Sequence, residues 1–223
     1  MGQGYNFDFS WLGENIPRLL DGALVSLKLM ALTAVTSFII GLVAGQMRMS
    51  KTRLLRWPAT AYIDFLRTTP LLVQIVFFFF LLPLLFEVRI DAFTAGCVAL
   101  SLNYGAFFAE IFRAGIGSLS RGQSEAALAM GMTNMQTLRR VIYPQAMRRM
   151  LPPIGSMFVS LLKDTSLVAI LGVPELMNTA QNVGALTFRN IEVLLVVAFM
   201  YFCMTYPMAL LASWLHRRAS GWI

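Results

Sequence analysis

The sequence predicts an all-α integral membrane protein of five transmembrane helices, with its N-terminus outside and its C-terminus in the cytoplasm. Three observations carry this. Of the 223 residues, 57% are apolar and only 13% are charged, about half the charged share of a soluble domain. The apolar residues also gather in runs that reach the roughly 20 residues a helix needs to cross a bilayer. Finally, the connections alternate in charge. Arg48, Lys51, Arg53 and Arg56 fill one loop, Arg139, Arg140, Arg148 and Arg149 a second, and Arg217 and Arg218 the tail, whereas the intervening connections around Glu87–Asp91 and Glu175–Glu192 are neutral or acidic. Basic loops mark the cytoplasmic side.

The spans follow in order. The first covers about 20–47 and carries Gly41-x-x-x-Gly45, a spacing that lets two membrane helices approach closely. The second covers about 57–86, and Pro70 should kink it by removing a backbone donor. Asp64 and Arg67, three residues apart near its cytoplasmic end, can pair along one face. Spans three, four and five cover about 93–113, 151–171 and 191–215, so the whole chain, 1–223, forms a single transmembrane domain. An odd number of spans argues against an inverted repeat within one chain. Five helices also enclose little volume, so a translocation path calls for a second copy or a sister subunit.

Several functions are excluded. The net charge of +7 reports topology, because its residues sit in alternate loops, and not nucleic-acid binding. Cys97 and Cys203 both fall in spans and read as small buried apolar residues, and the single histidine, His216, leaves no metal spacing. The N-terminus lacks the basic region and cleavage site of a signal peptide, so the first span should remain in the mature protein. No H-E-x-x-H or G-x-S-x-G supports an intramembrane enzyme, and the absence of any Gly-Lys dipeptide rules out a P-loop. ATP and Mg would therefore have to bind a partner, and this chain needs no cofactor of its own.

Between spans three and four lies a polar, Arg-rich insert of about 118–150 that reads as two short helices. Ser124 can cap the first, placing Glu125, Ala126 and Ala127 in its opening turn, and Gly131 ends it. Leu138, Val141 and Ile142 give the second an apolar face, Pro144 breaks it, and Pro152-Pro153 opens the fourth span. Met130, Met132, Met135, Met147 and Met150 add adaptable surface. From the residues alone, the insert is either a docking element or an amphipathic loop lying on lipid.

The insert resembles the EAA loop of ATP-binding-cassette importer permeases, E-A-A, three residues, Gly, nine residues, I-x-L-P. Glu125-Ala126-Ala127, Gly131 and Pro144 stand at those spacings, with Val141 and Tyr143 in place of the Ile and Leu. Arg67-Thr-Thr-Pro-Leu-Leu-Val-Gln74, Ala109-Glu-Ile-Phe-Arg-Ala-Gly-Ile116 and Lys163-Asp-Thr-Ser-Leu167 resemble the polar amino-acid branch of that family, which serves histidine, glutamate, glutamine, arginine and opine uptake. Phe107-Phe108 stands where that branch commonly has a tyrosine.

The resemblance implies a type I ABC importer permease of the bacterial inner membrane. It implies that the loop seats in a separate cassette ATPase subunit, and that an external solute-binding protein delivers a polar amino acid. A passive channel with a regulatory loop is the competing reading.

Ionisable residues at membrane depth cost about 2.5–3.5 kcal/mol each at mid-span. Lys28 can snorkel, and Glu110 and Arg113 can satisfy each other. Lys163 and Asp164 are adjacent, so they point about 100° apart and cannot form a local pair. With Gln74, Asn103, Ser160 and Thr165, Asp164 could build a polar pocket for a zwitterion; alternatively, Lys163 and Asp164 hold helices together.

Overall fold

A computed structural model describes residues 6–220; the first residues of the stretch read as lacking a signal peptide lie outside them. The described chain is helical: α1 (Leu12–Met49), α2 (Arg53–Thr68), α3 (Leu71–Phe86), α4 (Ala92–Gly117), α5 (Arg121–Ala129), α6 (Asn134–Thr137), a π turn (Leu138–Ile142), α7 (Tyr143–Asp164), a 3-10 segment (Thr165–Leu171), α8 (Leu176–Thr187) and α9 (Asn190–Ser220). Among the described residues, four helical stretches are long and apolar enough to cross a membrane: α1, α4, Asn134–Leu171 and α9. The α2–α3 pair supplies a fifth if it counts as one span.

In α4, 67% of the most apolar stretch is buried, against 28% in α1 and 17% in α9. This makes α4 the central helix. α1 runs parallel to it, with Thr36 and Ser101 hydroxyls 2.6 Å apart. Further along, a Cβ added at Gly41 would meet the Phe108 Cβ at 2.5 Å, and one at Gly45 the Ala109 oxygen at 3.1 Å. The Gly41/Gly45 face read from the sequence is thus the α1–α4 seam, where only glycine permits this approach. α7 runs antiparallel to α4, with Tyr104 reaching Asp164 near one end and Met150 filling the space beside Gly115 near the other.

The second span departs from expectation. It is not one kinked helix but two, turned by 116° across Thr69 and Pro70. A residue before proline is forced out of the helical region, and Thr69 sits at φ −99°, ψ 146°. Carbonyls freed at membrane depth need new donors. Gln74 and Asn103 supply them: the Gln74 amide donates to Leu66 O at 2.9 Å and Thr69 O at 3.1 Å, and the Asn103 amide donates to Leu66 O at 3.1 Å and to Gln74 Oε1 at 2.9 Å.

The insert corrects three local expectations. Ser120, not Ser124, occupies the N-cap of α5, so Glu125, Ala126 and Ala127 lie in mid-helix. Thr133 and Gln136 form a reciprocal capping box for α6. Pro144 does not break the second helix, and Pro152-Pro153 does not open a new one. The π turn re-spaces the backbone just before Pro144, which then occupies the first turn of α7, where a proline's missing donor is tolerated. Asn134–Leu171 consequently forms one continuous helical rod of 38 residues.

α8 is an additional helix. Glu175 caps it by accepting from the Met177 and Asn178 amides at 3.0 and 2.7 Å. Its fully buried carboxylate also accepts from Ser26 on α1 at 3.2 Å and Tyr201 on α9 at 3.0 Å, tying three helices at one point. Cys203 is exposed on α9, whereas Cys97 is buried as expected.

Candidate functional site

Two sites emerge at different levels of one helix. The first is the surface around the insert. Gly131 has φ +82°, a left-handed conformation that favours glycine, and open space around it. The turn is closed by the Gly131 amide on Leu128 O at 2.9 Å and the Met132 amide on Ala127 O at 3.2 Å. Ala127 is buried, whereas Glu125, Ala126, Gly131 and Pro144 face outward. Leu128, Met130, Met135, Tyr143 and Met147 of the same insert are also exposed. Met150, expected at this surface, is buried against α4. The product is an apolar, methionine-rich patch bearing one acid, next to exposed Arg139 and Arg140. Such a patch suits a protein contact that shifts during a cycle.

The second site is a cavity of about 290 Å³ between α2, α4 and α7, lined by Arg67, Asn103, Tyr104, Phe107, Ser160 and Asp164 among others. Asp164 is half-buried, and its Oδ2 accepts from the Tyr104 hydroxyl at 2.6 Å. Lys163 points away and is exposed. Of the residues read as a polar pocket, the structure brings Asn103, Ser160 and Asp164 to the cavity wall. Gln74 is buried behind the Thr69–Pro70 break, and the Thr165 hydroxyl donates to Leu162 O at 2.7 Å, so neither lines the cavity. Ser160 also borders a larger cavity of about 750 Å³ between α7 and α9 that reaches His216 and Arg217.

Ion pairing also differs from the expectation for α2. Asp64 accepts from Arg48 at 2.9 Å, not from Arg67. Helical spacing allowed the Asp64–Arg67 pair, but α1 brings a better-placed guanidinium. Glu110 pairs with Arg113 at 3.0 Å as expected, and also faces Arg48 at 3.5 Å and Arg67 at 3.9 Å. Sequence reasoning missed Arg67 as a cavity residue because local spacing offered it Asp64.

An all-helical bundle with four or five apolar helices among the described residues, a small open cavity with charged groups in its wall and an exposed insert fit a membrane permease. Residues 37–221 match the family described as "Binding-protein-dependent transport system inner membrane component", and the chain belongs to that family. It is 39% identical over 213 residues to the glutamine transport system permease protein GlnP of Escherichia coli (strain K12), covering 95% of this chain and 97% of that protein. It is 40% identical over 211 residues to the L-cystine transport system permease protein TcyB of Bacillus subtilis (strain 168), covering 93% and 88%. A solved structure titled "Crystal structure of an amino acid ABC transporter with histidines" superposes with a TM-score of 0.90 at 36% identity, covering 96% of this chain and all of the other. The methionine ABC transporter MetNI shares the fold at 19% identity, with a TM-score of 0.76 over 92% of this chain and 97% of the other. The chain is therefore a multi-pass permease subunit of an ABC importer, not an enzyme, and the ATPase of such an importer is a separate subunit.

Proposed function

We propose that this chain carries a polar amino acid across the bacterial inner membrane, with Asp164, Ser160 and Asn103 forming part of the substrate site. Its N-terminus lies outside and its C-terminus in the cytoplasm, so the Arg48, Arg139–Arg149 and Arg217 ends share the cytoplasmic side. Two permeases, identical or sister, pair across a two-fold axis; two cassette ATPases bind ATP and Mg; and an external solute-binding protein supplies the substrate. Glu125, Ala126, Ala127, Gly131 and Pro144 seat in the ATPase.

One observation carries this reading. Pro144 of the exposed patch and Asp164 of the cavity lie on the same unbroken rod, Asn134–Leu171. Twenty residues of helix separate them by about 30 Å. A displacement at the cytoplasmic patch reaches the cavity without crossing a hinge in the rod. The cavity, about 290 Å³, lies near the roughly 300 Å³ lower limit of small-molecule sites, a size that fits an amino acid. Relatives named for glutamine and cystine transport support the substrate class.

Reconstitution with the ATPase and binding protein tests this reading. Labelled amino acids should accumulate inside vesicles against a gradient only when ATP is supplied. Equilibration without ATP would instead identify a passive channel.

A further inference from the structure

We infer that Arg67 anchors the carboxylate of the substrate, opposite Asp164 in the same cavity; this rests on the amino-acid reading above. Neutral donors are scarce there. Both amide hydrogens of Asn103 are committed to Leu66 O and Gln74 Oε1, the Thr69 hydroxyl donates to Phe65 O, and the Tyr104 hydroxyl donates to Asp164. Ser160 alone could not neutralise a carboxylate.

Arg67 can. Where α1, α2 and α4 meet, Arg48, Arg67 and Arg113 face two carboxylates among the described residues, Asp64 and Glu110. Three cations thus share two anions, and the distances identify Arg67 as the most weakly paired. Arg48 sits 2.9 Å from Asp64 and Arg113 3.0 Å from Glu110, whereas Arg67 stands 3.9 Å from Glu110, outside hydrogen-bond range. Arg67 donates no hydrogen bond among the described residues.

Its position is nevertheless held. The guanidinium carbon lies 5.5 Å from the centre of the Phe107 ring, and both residues line the cavity. Held over the ring, the guanidinium keeps N–H groups that make no hydrogen bond among the described residues, and its fork matches a carboxylate in a two-point contact. The cavity thus presents one cation and one anion, the pattern of an α-amino acid.

The test uses the full chain purified with its ATPase subunit, without the binding protein, so that only the membrane site is read. Equilibrium dialysis would measure L-glutamine, L-glutamate, L-arginine and L-cystine, each beside its α-amide. The wild type should bind at least one free acid about tenfold or more above its amide. Arg67→Gln should reduce that preference to below about twofold, and Arg67→Lys, which keeps charge but not the fork, should fall between.

If Arg67→Gln fails to assemble, Arg67→Lys decides: wild-type preference in that variant overturns the assignment. Equal binding of acid and amide by the wild type also overturns it, while leaving amino-acid transport standing. A wild type that binds none of the amino acids defeats the transport reading itself, and this inference with it.

Discussion

The Tyr104 hydroxyl donates to the Asp164 carboxylate at 2.6 Å across the gap between α4 and α7. This contact joins the central helix to the rod that carries the exposed insert, at a half-buried carboxylate that lines the cavity. Asp164→Asn should therefore weaken amino-acid binding about tenfold or more while the complex still assembles. Tyr104→Phe should cost less, about threefold, because the acid remains. Binding by the purified complex, with assembly followed by gel filtration, checks both.

Glu125→Lys reverses the one acid on a largely apolar contact surface and leaves every span intact. Membrane insertion should be unchanged, while recovery of the ATPase subunit in co-purification should fall at least about tenfold, equivalent to about 1.4 kcal/mol. Gly131→Asp should also uncouple hydrolysis from uptake, because it adds bulk and charge at an exposed turn whose φ is +82°. Normal uptake by either variant at normal expression would remove the patch from the coupling path.

The α1–α4 seam gives a purely structural prediction. Gly41→Ala places a methyl 2.5 Å from the Phe108 Cβ, whereas Gly13→Ala meets nothing within 4 Å. The first should destabilise by about 1–3 kcal/mol, and the second should not. Thermal unfolding of the two variants in the same detergent makes the comparison.

Asp91 caps α4 outside the membrane-spanning segment, and hydrogen bonds from the Thr94 hydroxyl and amide hold its carboxyl below the usual range. A depressed folded pKa means stabilisation above the ordinary carboxylate value and loss as pH falls through the folded one. Asp91→Ala should accordingly cost about 1 kcal/mol at pH 7, a cost that shrinks as pH drops below about 4. Melting temperatures of both proteins across that range would show the convergence.

Apolar runs long enough to span a bilayer were legible in the sequence because they depend on composition alone. Gly41-x-x-x-Gly45 was legible for a similar reason, since a missing side chain on one helix face has few other uses. Features that depend on distant partners were not. Asp64 and Arg67 satisfied the helical rule, yet α1 supplied Arg48 to the acid. Gln74 looked like a ligand donor because the break at Thr69–Pro70, which consumes its amide hydrogens and those of Asn103 at the cavity wall, is a tertiary event. The prolines at 144, 152 and 153 suggested breaks because a π turn just ahead of Pro144 cannot be read from residue type. α8 was readable in principle: Leu176, Ala180 and Val183 fall at helical spacing and are all buried.

In the proposed cycle, ATP hydrolysed on a partner drives substrate through this chain by way of the Glu125–Pro144 patch. The most direct measurement is uptake by vesicles holding the permease and its ATPase, with binding protein outside and ATP inside. Internal amino acid should rise above the external concentration, and accumulation should stop without ATP and fail with Glu125→Lys. Flux that merely equilibrates, indifferent to ATP and to that substitution, would contradict it.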